Sequence, residues 1–435
     1  MIESMKKTIL SLALLLPLLA LTQPTITLRS AVDSTLRNSF DIKLAENNAE
    51  ISRINNISWV TGALPTVNAT VNDNQSITDV NQKLNSGTEI KKSRARGNNL
   101  TSNVTASLLL FNGFRVWATK ERLEQLQTLG ELHLNTQVQN SIAMVMIAYY
   151  DVLRQQEYLK IIQNSLDVAR QEMDIVTARR NVGMANEADY LQALIDVNSA
   201  EQNLKAQQLQ VEQAKTDLLQ IMSGSSYYPF SVTDTIVVDR SIAQEAVTGY
   251  LMQNPQYLSA EQQIKISRQV VKEVSALRYP SLRLNTGYNY NRTESTGGQF
   301  LLNQSNGPFA GINLQVPIFN GNAYKVQRKE ALIEVNNAVL QREELLNTLT
   351  SDAVRMYQSY NTSLAQLDSQ VKAIEMSSRL VDLVLRRFQV SEATILEVKA
   401  AQASHETTGY QLVNLNYAAK VAEIELKRLM YQLGN

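Results

Sequence analysis

Two stretches of the chain alternate apolar and polar residues and then break at the same three letters. Val104, Ala106, Leu108 and Leu110 lead into Phe111-Asn112-Gly113, and Ala310, Ile312, Leu314, Val316 and Ile318 lead into Phe319-Asn320-Gly321. The second break lies 208 residues after the first (319 − 111 = 208). A partner run precedes each. In 64–74, Val67, Ala69 and Val71 alternate with Thr66, Asn68, Thr70 and Asn72; in 279–291, Leu282, Leu284, Tyr288 and Tyr290 oppose Arg283, Asn285, Gly287, Asn289 and Asn291. A period of two predicts strands with one apolar and one polar face. Each copy therefore predicts a hairpin, with a long polar loop at 76–99 in the first and a loop bearing Gly297-Gly298 in the second. Pro65 and Pro280 open the first strand of each copy, where a missing N–H is tolerated.

Helical spacing fills the rest. Residues 30–62 and 243–276 predict helices ahead of the two hairpins. From Arg115 to about Ala178 there is no Pro and only Gly130, which predicts one helix roughly 95 Å long at 1.5 Å per residue. Its return stroke, from about Glu187 to Met222, carries a heptad: Val197, Leu204, Val211 and Leu218, with Ala200, Gln207, Ala214 and Ile221 beside them. The 208-residue offset maps these rows onto His405, Leu412, Ala419 and Leu426, and onto Thr408, Leu415, Ala422 and Leu429. Seams that mix Leu with small and polar residues fit a wall of helices with neighbours on both sides. The fold class is mainly α with a small β part. The expected organisation is a signal peptide (1–22), a first repeat (23–222), an inter-repeat linker (223–242) and a second repeat (243–435).

Composition narrows the function. Lys+Arg and Asp+Glu are both 41, so the chain lacks the basic excess of a nucleic-acid binder. It has no Cys, which excludes disulfides, thiol catalysis, thiolate metal sites and a lipidated N-terminal Cys. Lys6 and Lys7 precede the apolar run "TILSLALLLPLLAL", an export signal whose Pro17 and modest length argue against a retained membrane helix. No phosphate loop, dinucleotide glycine pattern or HExxH is present, and two scattered histidines, His133 and His405, make no catalytic grouping. No catalytic residue, cofactor or metal site is expected; His405 sits at a heptad seam as a structural residue.

Strands of roughly 10 residues span a bilayer when tilted, and in a membrane only a closed barrel pairs every backbone group. Four strands cannot close. Either they lie on a soluble core, or several chains pool them, and three chains would supply twelve.

Two copies of helix, hairpin and very long helix behind a signal peptide resemble the TolC-type outer-membrane efflux channels. The local carriers are Asn254-Pro255, Pro280-Ser281-Leu282, Phe319-Asn320-Gly321 and the helix turns "RRNVGMANEADYLQA" (179–193) and "RRFQVSEATILEVKA" (386–400). The resemblance implies a homotrimer with a shared 12-stranded transmembrane β-barrel and an α-helical coiled-coil barrel crossing the periplasm. It implies a passive exit duct for small molecules, reached by a periplasmic adaptor protein and an inner-membrane transporter. It also implies an equatorial belt that would include 223–242. The two turns become periplasmic tips where the adaptor docks, carried by Arg179, Val182, Gly183, Arg387, Val390 and Ser391. Asp189 and Glu397 become acidic positions at the entrance, beside Phe388.

The pattern has departures. Ser391 replaces a usual Gly, Phe388 and Ala393 stand where the family's closing links use Tyr and Arg, and Ala400 fills a second acidic position. Tyr288 and Tyr290 join an aromatic girdle facing outer-membrane lipid. Lys91, Lys92, Arg94 and Arg96 are assigned to the first hairpin loop, outside the cell. Alternatives are the same fold serving protein secretion or metal-ion efflux, and a secreted helical filament protein.

Overall fold

The computed structural model describes residues 24–57, 62–222 and 228–434. The expected signal peptide at 1–22 and the first residues of the expected linker, 223–227, lie outside them. The described elements are α1 (Leu28–Asn38), α2 (Phe40–Asn55), β1 (Thr66–Lys83), β2 (Glu89–Phe111), α3 (Arg115–Asn181) and α4 (Glu187–Ile221). After the linker come α5 (Gln244–Tyr250), a 3-10 turn (Leu251–Gln253), α6 (Pro255–Ala276), β3 (Ser281–Ser295), β4 (Leu302–Gln315), α7 (Ala323–Gln389) and α8 (Ile395–Leu429). The long helices of the second copy begin and end 208 residues after those of the first (323 − 115 = 389 − 181 = 208; 395 − 187 = 429 − 221 = 208).

The chain forms two compact units, and each draws on both copies. One comprises the described residues within Met1–Leu44, Asn135–Asn254 and Thr348–Asn435; the other comprises Ala45–Leu134 and Pro255–Asn347.

The second unit holds the strands, an antiparallel sheet in the order β1-β2-β3-β4. Its register carries the apolar alternation onto one face. Ala69 stands opposite Val104, Val104 opposite Tyr288, and Tyr288 opposite Pro308. A parallel row runs through Leu108, Leu284 and Ile312. The opposite face is Asn, Thr and Gly, with Asn68, Thr105, Gly287 and Phe309 in one row. No described helix covers the apolar face: Val67 and Val71 are each 66% exposed and Ile312 is 69% exposed. The outer edges of β1 and β4 pair with no other described strand.

The strands are longer than expected, at 18, 23, 15 and 14 residues. The basic run is consequently corrected. Lys91, Lys92, Arg94 and Arg96 lie in β2, and the first hairpin turns within 84–88. Beyond Asn72 apolar residues become sparse, with Ile77 the next on the face of Val67 and Val71, so the alternation that marks a strand fades while the ladder continues.

The Phe-Asn-Gly break has a physical cause. Gly113 has φ +71°, and a Cβ there would sit 2.6 Å from the Tyr279 Cβ and 2.7 Å from the Ala276 carbonyl oxygen. Gly321 takes φ +66° with open space around it, so there the backbone alone asks for glycine. Asn112 Oδ1 then accepts the Val116 amide at 3.3 Å and starts α3. Helices α3 and α6 are tied by polar contacts in the same unit: Gln262 Nε2 donates to the Gln125 carbonyl at 3.1 Å, and Arg122 pairs with Glu273 at 2.8 Å.

The first unit is helical. Its main core gathers Ile142, Val145, Tyr149 and Val152 of α3, Leu218 of α4, Ile424 of α8 and Phe230 of the linker. The linker is held by charge as well as by packing. Glu423 is 2% exposed and accepts Lys420 Nζ at 2.9 and 3.0 Å, Lys427 Nζ at 2.9 Å and the Asp239 amide at 2.9 Å. Hydrogen bonds from Ser241 and the Lys427 ammonium hold the Asp239 carboxyl far below the usual carboxylate range. The seam residues behave as a wall. Gln207 Nε2 reaches the Gln155 carbonyl at 3.0 Å, and His405 Nδ1 lies 3.0 Å from Ser377 Oγ.

Candidate functional site

The two helix turns, 179–193 and 386–400, lie together in the first unit around a small core of Val176, Ala193, Val381, Val384, Leu385, Phe388, Ala393, Val398 and Ala401. They are built alike. After α3, the Met184 amide reaches back to the Arg179 carbonyl at 2.8 Å and the Gly183 amide to Arg180 at 3.0 Å. After α7, the Glu392 amide reaches Arg387 at 2.8 Å and the Ser391 amide Phe388 at 3.1 Å. This pair of bonds is a Schellman closure, which needs a left-handed residue. Gly183 supplies φ +79°, and Ser391 adopts φ +67° despite its side chain.

The closures leave Val182 70% and Val390 66% exposed, with Met184 69% exposed beside the first. The turns are also joined. The Arg179 guanidinium lies 4.5 Å over the Phe388 ring and donates to the Phe388 carbonyl. That carbonyl also accepts the Ser391 amide, so the closure of one turn rests on a residue of the other. Phe388 is 4% exposed, a core residue of the tip in this chain. Arg180 pairs with Glu187 at 2.7 Å and covers the Tyr190 ring at 4.2 Å. Arg387 donates to the Glu392 carbonyl at 2.9 Å.

The acidic positions differ in their work. Asp189 donates its amide to Asn186 Oδ1 at 2.8 Å, which starts α4, and its half-buried carboxyl lies in the first turn. Glu397 closes a capping box at the start of α8: its carboxylate accepts the Thr394 amide at 2.7 Å and the Thr394 hydroxyl at 3.0 Å. Those bonds, the backbone one first, hold its carboxyl below the usual value. The signal for this was in the sequence, as the Thr-x-x-Glu spacing of 394–397. In the second unit, Tyr288 and Tyr290 share one face of β3, with Tyr288 49% exposed.

The family model for outer membrane efflux proteins matches residues 31–224 and 248–430. The chain belongs to that family.

As an outer membrane efflux protein it has relatives along most of its length. It is 22% identical over 329 residues to the outer membrane protein TolC of Vibrio cholerae, covering 73% of this chain and 74% of that protein. It is 24% identical over 293 residues to the cation efflux system protein CusC of Escherichia coli, covering 66% of this chain and 62% of that one. Crystal structures of CusC and of the Campylobacter jejuni CmeC outer membrane channel share the fold, at TM-scores of 0.74 and 0.75 and 17% identity. Each covers 94% of this chain, with 92% of the CusC chain and 89% of the CmeC chain matched. This efflux channel therefore resides in the outer membrane, with a helical part of the periplasmic-tube type. No described helix is long and apolar enough to cross a membrane.

One group near the tips was missed by sequence reasoning. Glu172 of α3 is 1% exposed, and its Oε1 has no partner. Burial first, and then the Asp196 carboxylate, push its carboxyl up to about 7. Asp196 itself is paired with Lys399 at 2.5 Å. Nothing in the linear pattern separates Glu172 from the solvated acids of the same helix.

Proposed function

We propose that the chain is one third of a trimeric exit duct, whose three sheets join edge to edge into a closed 12-stranded barrel in the outer membrane. The observation that carries this reading is the sheet itself. It presents an apolar face that no described helix covers, and two edges without partners among the described strands. Exposed edges of this length invite pairing with another chain, and closure satisfies the backbone where water is absent. Tyr288 and Tyr290 then stand at the lipid face as part of an aromatic girdle, and the Asn- and Thr-rich face lines the lumen. Residues 1–22 serve as the removed export signal. The chain is read as two repeats, 23–222 and 243–435, joined by the linker 223–242 in an equatorial belt.

In the same reading the tips receive a periplasmic adaptor that links the duct to an inner-membrane transporter. The exposed Val182 and Val390, flanked by Arg179, Gly183, Arg387 and Ser391, form a doubled docking crown. Asp189, Glu397 and Phe388 belong to the entrance, and small molecules are the cargo. Similarity to CusC supports metal ions as the alternative cargo for the same duct.

The test is the mass of the full protein extracted in detergent from outer-membrane fractions, corrected for bound detergent. A mass of three mature chains that conducts ions in a planar bilayer is the expected result. A monomer that stays soluble without detergent would overturn the shared barrel.

A further inference from the structure

Between α3, α4 and α8, within the first unit, lies a cavity of about 570 Å³. Glu172, Asp196, Lys399 and Glu406 are its charged lining. Lys399 Nζ already sits 2.5 Å from Asp196 Oδ2, so the cavity holds one ammonium against one carboxylate. Glu406 accepts the Ser165 hydroxyl. Glu172 is 1% exposed and its Oε1 is unpartnered, and the one ammonium that acts on it, Lys399, is already committed to Asp196. A buried ionised carboxylate without a partner is costly, so it takes up either a proton or a cation.

We infer that this cavity is a binding site for a small organic cation, an amine whose ammonium seats against Glu172. The volume falls in the range of small-molecule sites. The remaining lining suits an amine. Asn203 and Gln210 offer neutral amide oxygens, and Tyr410 offers an aromatic face, held edge-on to Tyr158 at 5.0 Å between ring centres. A metal ion is the poorer fit, since no grouping of three or more metal-ligating side chains occurs among the described residues. The site depends on one chain and stands whether or not the shared barrel does.

The charges facing Glu172 are Asp196 from α4 and Lys399 from α8, with Glu406 further along α8 in the same cavity. The bound amine displaces the proton that Glu172 otherwise carries, a carboxyl raised to about 7. The affinity therefore falls as the pH drops through that value, by about tenfold from pH 8 to pH 6.

The experiment is isothermal titration of the full protein in detergent with 1,5-diaminopentane, at pH 8 and pH 6. Saturable binding at pH 8 that weakens about tenfold at pH 6 is the expected result. Glu172→Gln reduces binding at pH 8 by about tenfold or more and removes the pH dependence. Lys399→Gln frees Asp196 and tightens binding several-fold, a sign that damage to the fold would not give. The neutral analogue 1,5-pentanediol leaves no saturable heat. Absence of saturable binding by the unaltered protein at pH 8, binding independent of pH, or a Lys399→Gln variant that binds more weakly overturns the site.

Discussion

Exchanging the residues that close the two tips tests whether the turns are governed by backbone conformation. Gly183 and Ser391 occupy the same position of the same motif, at φ +79° and +67°. A left-handed conformation costs an L-residue about 1–2 kcal/mol. Glycine escapes that cost but loses more freedom on folding, by about 0.5–1 kcal/mol. Ser391→Gly should therefore stabilise its turn by about 0.5–1 kcal/mol, and Gly183→Ser should destabilise the other by a similar amount. Packing does not blur the second change, because a Cβ at Gly183 meets nothing within 4 Å. The readout is hydrogen exchange of tip peptides by mass spectrometry, focused on the amides of Met184 and Glu392, each bonded at 2.8 Å across its closure. Exchange at Glu392 should slow about two- to fivefold in Ser391→Gly, and exchange at Met184 should quicken by as much in Gly183→Ser. The double exchange tests the contact between the turns. Phe388 O receives both the Ser391 amide and the Arg179 guanidinium, so the two effects should depart from additivity. Faster exchange in Ser391→Gly would refute the strain argument.

Three other outcomes follow from the geometry. Glu423→Ala removes a carboxylate that holds Lys420, Lys427 and the Asp239 amide; with Lys420 7% exposed, breaking such a buried pair should cost about 3–5 kcal/mol, read as a lower denaturant midpoint and release of the linker to protease. Gly287→Ala would place a Cβ 2.0 Å from the Val104 carbonyl oxygen and should disrupt the β2–β3 pairing, seen as loss of the three-chain mass in detergent while the helical signal persists. Glu397→Gln should reduce cation preference in a bilayer recording, while unchanged selectivity would leave Glu397 a cap alone.

The features legible in the sequence are those that one element can state by itself. The paired helices of 67 and 35 residues were readable because an α-helix needs only spacing and the absence of breakers, and the offset of 208 duplicated the evidence. The hairpins were readable only where one face is apolar. Their polar outer halves, with Lys91 to Arg96 in β2, look like loop because nothing there alternates. The tip turns were placed, since Gly183 and the Arg pairs punctuate the helices, but their union was hidden: Arg179 over Phe388 joins residues 209 apart, a contact that no local pattern encodes. Glu172 marks the same limit from the other side. Its solvation is set by two helices that arrive from elsewhere in the chain, bringing Asp196 and Lys399 to it. An acidic residue in a long helix reads as a solvated face until its neighbours are known. Functional chemistry in a wall of helices repeated in length and spacing is therefore decided by which polar residues the wall buries.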